Sequence, residues 1–144
     1  MRFTRVLCVI VVAVGLAGII HAQSVGGGAE KLFNGKNLEG WRYYLDDHGF
    51  GMEDVWSVRD GLLVCKGEPM GYIWTTQKFK NFRMSLEWRW GGEPGNSGVL
   101  MRLNGKPQPL PRCLEMQLQH GKAGDLYGFH GMKLAGDPAR MREV

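Results

Sequence analysis

NFRMSLEWRW, residues 81–90, decides the fold class. Read at a period of two, Phe82, Met84, Leu86, Trp88 and Trp90 fall on one face, and Arg83, Ser85, Glu87 and Arg89 fall on the other. That alternation is the signature of a β-strand with one apolar and one polar side. The pattern recurs downstream. In SGVLMRL, Val99, Met101 and Leu103 alternate with Leu100 and Arg102, and in CLEMQLQH, Leu114, Met116 and Leu118 alternate with Glu115, Gln117 and Gln119. Upstream, DVWSVRDGLLVCKG reads as two strands joined at Asp60-Gly61, a dipeptide suited to the positive φ angles of a tight hairpin. YIWTT supplies a short strand, and KLFNGKNLEGW an early edge element around an Asn-Gly turn. EKLF and DPARMREV have room for a turn or two of helix at most. The expected fold is therefore all-β and antiparallel, a sandwich or barrel.

The two ends read differently from the middle. Arg2 and Arg5 precede a nearly unbroken apolar run, Val6 to Ile20, and HAQS follows, so residues 1–22 form a secretory signal peptide with cleavage expected after Ala22. The run of 15 residues is short for a spanning helix, which needs about 20, so no stable membrane insertion is expected after cleavage. Residues 23–30 make a glycine-rich spacer and 31–144 the domain. From Gly121 onward the pattern becomes irregular and no closing strand is visible, and the expectation is a truncated sandwich.

Loss of Arg2 and Arg5 with the leader lowers the net charge from +4 to +2. No Lys/Arg tract or zinc-finger spacing accompanies it, so nucleic-acid binding is not expected. An exported chain would permit a Cys65–Cys113 disulfide, and two buried thiols fit the sequence as well.

The polar positions carry the chemistry. Glu87 and Arg89 share one face of their strand, Glu115, Gln117 and Gln119 one face of another, and Arg102 the polar side of a third. If these strands are neighbours, carboxylates, guanidiniums and amides line one surface. Such a set suits a hydroxyl-rich ligand, because each sugar hydroxyl both gives and accepts a hydrogen bond. A solvated face with cross-strand ion pairs has the same pattern, but this face uses arginine and amides, which make directional contacts, and avoids lysine. GGEPGNSG (91–98) could bring backbone N–H groups beside the face, with Asn96 and Ser97 as ligand contacts or as plain turn residues. His120 is the histidine best placed to carry a proton, ahead of His130 and His48. Asp46, Asp47 and His48 lack any spacing that fixes a metal geometry.

Five segments in order, LFNGKNLEGW (32–41), the Trp56–Leu63 W-V-DGLL pattern, NFRMSLEWRW (81–90), GNSGVLMR (95–102) and LEMQLQH (114–120), resemble the 3-keto-disaccharide hydrolase family. The resemblance runs from about Leu32 to the end of the chain. It implies a concanavalin-like jelly roll of two curved antiparallel sheets, found in many exported bacterial proteins. It also implies that Glu87, Arg89, Asn96, Ser97, Arg102, Glu115 and Gln117 belong to a shared polar constellation. The Gly-Glu-Trp-Asn segment and the later Asn-Gly hairpin usual in the family do not occur here.

The activity implied is cleavage of 3-keto-glycosides. A ketone at C3 acidifies the C2 hydrogen; a base removes it, the glycosidic oxygen leaves C1, and water adds to the enone. His120 or Glu115 is the expected base, Arg102 or Arg89 the cation for the enolate, and Glu87 an orienting or leaving-group residue. Paired-carboxylate hydrolysis by Glu87 and Glu115 is a second route. A divalent cation is neither established nor excluded. A non-catalytic carbohydrate-binding module is the alternative, and it would present rings such as Trp41, Tyr43, Tyr72 or Tyr127 to the sugar.

Overall fold

A computed structural model describes Leu7–Cys8 and residues 30–144. The remainder of the leader (1–22) and of the spacer (23–30, Glu30 excepted) lies outside the described residues. Nine strands are described: β1 (Leu7–Cys8), β2 (Trp41–Leu45), β3 (Trp56–Arg59), β4 (Leu62–Cys65), β5 (Gly71–Thr75), β6 (Asn96–Asn104), β7 (Arg112–Gln117), β8 (Leu126–Gly128) and β9 (Met141–Glu143). The described residues contain one short α-helix, α1 (Met52–Val55), so the fold is all-β. Seven strands form one sheet in the order β2-β5-β1-β6-β7-β8-β9, and β3 and β4 form a separate hairpin.

The hairpin follows from its turn. Asp60 and Gly61 take φ of 52° and 76°, the pair of positive angles that matches a two-residue turn to strand twist. Register then places Trp56 opposite Cys65 and Val58 opposite Leu63. Before the hairpin, the single turn of α1 is fastened by Asp54, whose Oδ2 accepts the Gly51 N–H at 2.7 Å; the strand expected to begin at Asp54 therefore begins at Trp56. The core joins the two layers. Trp41, Leu45 and Ile73 from the sheet pack with Val55, Trp56 and Leu63, and Phe33 completes the cluster. Burial of side chains this large contributes roughly 1.5–3 kcal/mol each.

Three expectations need correction. The sheet is mixed rather than antiparallel, because β1 runs parallel to both β5 and β6, and β9 parallel to β8. Parallel pairs need long connections, and residues 129–140 provide one. Second, a strand that the irregular pattern from Gly121 onward does not show, β9, lies at the sheet's edge beside β8 and is reached through a 3-10 turn at Pro138–Arg140 whose first N–H group is capped by Asp137. Third, residues 81–90 belong to no strand among the described residues. On the edge of β6 away from β7, β1 pairs with Asn96 and Ser97 only, and along the rest of that edge 81–90 makes no ladder among the described residues. The alternation survives nonetheless, with Met84, Leu86, Trp88 and Trp90 half-buried and Arg83, Ser85, Glu87 and Arg89 exposed.

Candidate functional site

Register fixes which residues share a face. Gly71 and Ser97 both align with Cys8 on β1, so they point to one side of the sheet, together with Leu45, which is paired to Gly71. That side faces the core. Alternation then sends Tyr72, Trp74, Gly98 and Leu100 to the other side. Direct pairs extend this second face: Tyr44 opposite Tyr72, Gln117 opposite Gly98, Glu115 opposite Leu100, and Tyr127 opposite Glu115.

Glu115 is the centre of that face. It is 1% exposed although charged side chains are rarely buried without a partner, and its Oε1 has no hydrogen-bond partner among the described residues. Burial penalises the carboxylate and pushes its pKa up to about 7. A glycine makes room for it. A Cβ at Gly98 would sit 2.6 Å from both Cγ and Cδ of Glu115, and closer still to Oε1. Gly98 therefore acts through its missing side chain, not as part of a loop of N–H donors; it lies within β6. Cys113, two positions earlier on the same face, is buried with a free thiol, so the Cys65–Cys113 disulfide is not formed. Burial, and secondarily the Glu115 charge, pushes that thiol up to about 12.

The other expected residues divide. Gln117 shares the face of Glu115 and is 3% exposed, but its Oε1 already accepts the N–H groups of Leu118 and Gln119 at 2.9 and 2.8 Å. Asn96 alternates onto the same face, with Oδ1 buried and unpartnered among the described residues. Ser97 does not: it is fully buried on the core side, since adjacent strand residues point oppositely. Arg102 sits in an irregularity where β6 and β7 lose register between Met101 and Asn104. It takes φ of 59°, is exposed, and lies over the Phe82 ring at 5.7 Å. Glu87 and Arg89 stay exposed on the extended segment outside the sheet, so the strand arrangement does not carry them to Glu115. Gln119 is half-buried beyond β7, and His120 is exposed, its backbone N–H bonded to Gly95 O at 3.1 Å.

His130 holds Leu110 O through Nε2 at 2.7 Å, and His48 meets the Tyr44 ring edge-on. Among the described residues no three His, Cys, Asp or Glu side chains converge as a metal set, and Asp47 is occupied in a local turn with Gly49. No helix among them is long and apolar enough to cross a membrane.

Of the aromatic candidates, Trp41 is core, Tyr43 is exposed and Tyr127 half-buried. Two rings not singled out from sequence, Tyr44 and Trp74, flank the buried Tyr72. Their ring centroids lie 5.6 and 5.5 Å from that of Tyr72, forming a continuous row on the Glu115 face. Cross-strand pairing made the row, and only the i, i+2 spacing of Tyr72 and Trp74 signalled it in sequence.

A family model described as 3-keto-alpha-glucoside-1,2-lyase-like domain matches residues 28–142. A 3-keto-disaccharide hydrolase of Bacteroides thetaiotaomicron is 32% identical over 76 residues, covering 47% of this chain and 25% of that protein. The match thus spans about a quarter of the relative's length. No solved structure matches.

Proposed function

The chain belongs to the 3-keto-alpha-glucoside-1,2-lyase-like family, and from that premise we propose that it cleaves 3-keto-glycosides with Glu115 as the base. The observation that supports this most is the buried, unpartnered Glu115 carboxylate with its pKa near neutrality. A base is most effective when its pKa lies close to the working pH. His120, the other candidate, stands in solvent.

In the proposed reaction Glu115 takes the C2 proton, and the C2–H electron pair moves into the C3 carbonyl as an enolate. The enolate pair returns to form C1=C2 as the C1–O bond breaks, and the protonated Glu115 gives its proton to the departing oxygen. Water then adds across the enone, with its oxygen at C1 and a proton at C2, so the sum is hydrolysis. Arg102, two positions beyond Leu100 on β6, is assigned to the enolate charge. Asn96 and Gln117 are assigned to sugar hydroxyls, Gln117 through its amide nitrogen because its oxygen is engaged. Glu87, Arg89 and Gln119 receive no step, and Ser97 is a core residue. Paired-carboxylate hydrolysis loses support because Glu87 is outside the sheet.

Two finer points belong to the same proposal. The sheet is read as part of a concanavalin-like jelly roll, and the leader pattern marks an exported protein, whose cleavage after Ala22 would remove β1 from between β5 and β6. The aromatic row supports the second reading, a carbohydrate-binding module. Release of the aglycone from a 3-keto-glucoside by the purified chain separates the two. Release that rises with pH through about 7 and disappears in Glu115→Gln supports the enzyme; sugar binding without release supports the module.

A further inference from the structure

Residues 81–90 lie beside β6 without pairing to it. At one end a Cβ on Gly95 would meet the Trp90 ring at 3.8 Å, and at the other Arg102 rests over the Phe82 ring at 5.7 Å. The segment therefore runs antiparallel to β6, and Trp88 already packs against the core cluster. The ladder position itself is held by β1. It pairs with Asn96 and Ser97 on β6 and with Gly71 on β5, and so holds apart two strands that residues 76–95 connect in the chain.

We propose that β1 keeps the place of 81–90, and that removal of the leader lets 81–90 enter the sheet between β5 and β6. The register follows from the faces. With Gly91-Gly92-Glu93-Pro94 as a four-residue turn, Arg89 comes opposite Asn96, Trp88 opposite Ser97, Glu87 opposite Gly98 and Leu86 opposite Val99. Leu86 and Trp88 then share the core side with Ser97 and Val99, both buried, while Glu87 and Arg89 join the side of Glu115. A slip of one residue would turn Glu87 and Arg89 into the core. Asn96 and Ser97 are the ladder positions nearest that turn, so the two pairs to β1 are enough to stop the hairpin from closing. Once they are free, β5, 81–90 and β6 neighbour one another in space as they do in sequence, the usual arrangement of consecutive strands. In the chain that keeps its leader, Glu87 and Arg89 stay exposed outside the sheet. The inference rests on the proposed export and adds that the sheet is completed only after cleavage.

The test is amide hydrogen exchange, read by NMR on three forms: residues 1–144, the same chain with Leu7→Pro, and the chain cleaved after Ala22. Proline does not fit a strand paired on both edges, so Leu7→Pro frees β6 with the leader still attached. Expected is exchange at residues 84–89 at least about tenfold slower in the second and third forms than in the first, with cross-strand contacts from Leu86 to Val99 and from Glu87 to Gly98. Equal exchange in all three forms overturns the proposal, as do contacts of Trp88 with Gly98. Protection that appears only as the mass doubles with concentration overturns it too, by placing a second copy at the edge. Loss of native circular dichroism in both altered forms does the same, by making β1 a permanent strand of the sheet. Failure of the export reading looks different: protein recovered from a secreting host retains residues 1–22 by intact mass, and Leu7→Pro still slows exchange at 84–89.

Discussion

Residues 81–90 and strand β7 (112–117) carry the same alternation and meet opposite fates. The first keeps its apolar side half-buried, the exposed Phe82 excepted, and its polar side exposed, but no neighbouring strand pairs with it among the described residues. The second is paired on both edges, by β6 and β8, and the burial is reversed: Glu115 and Gln117 are 1% and 3% exposed, while Leu114 and Met116 are only half-buried. Alternation determines which residues share a face. Whether a face is covered depends on what else packs against it, and on the covered polar face of β7 burial pushes the Glu115 carboxyl up to about 7.

The sharpest way to break the contrast is to remove that carboxylate. Glu115→Gln preserves shape and leaves no base; release from a 3-keto-glucoside is expected to fall about 10³-fold, within the range of general-base contributions. The same substitution tests burial itself. In the wild type the folded pKa of about 7 lies above the unfolded value of about 4.5. Between these pH values the unfolded chain has lost the proton that the folded chain retains, so stability is full below about pH 4.5, declines as pH rises, and levels off above about 7. The decline amounts to about 3 kcal/mol. Urea unfolding from pH 4 to 8 is expected to show it in the wild type and to lose that component in Glu115→Gln, making the variant the more stable protein at pH 8.

Gly98→Ala comes next in size. The added methyl invades the space of the Glu115 side chain, and overpacking of this kind costs about 2 kcal/mol. In a Glu115→Ala background the space is vacant, and the cost is expected to fall below about 0.5 kcal/mol. A double-mutant cycle measures the difference directly; additivity would show that the glycine does not cradle the carboxylate.

Legibility in the sequence followed the range of the interactions. Asp60-Gly61 announced its hairpin because the turn is written in two adjacent residues, β6 and β7 were visible where alternation ran for five or more positions, and β5 showed as the short run YIWTT. β8 and β9, three residues each, are too short for a period to show. The parallel pairing of β1, β5 and β6 joins segments far apart in the chain and leaves no local mark. Within the site, Glu115 and Gln117 were placed on one face correctly, whereas grouping Asn96 with Ser97 ignored that strand neighbours diverge. Arg102 was displaced by a register shift that no residue type announces. Gly98 was read for what its backbone could offer, when its contribution is the side chain it lacks.

The smallest effects are expected where the alternation is clearest. Glu87 and Arg89 are exposed on a segment that the sheet does not include, and exposed substitutions away from special contacts usually change stability by less than about 0.5 kcal/mol. Glu87→Ala and Arg89→Ala should therefore unfold within that margin of the wild type and release aglycone within about threefold of it. A loss near that of Glu115→Gln, in a variant with unchanged unfolding, would mean that residues 81–90 close over the Glu115 face when substrate binds. The contrast between the two regions would then describe the free protein only, and the pair Glu87 and Glu115 would return as partners in the reaction.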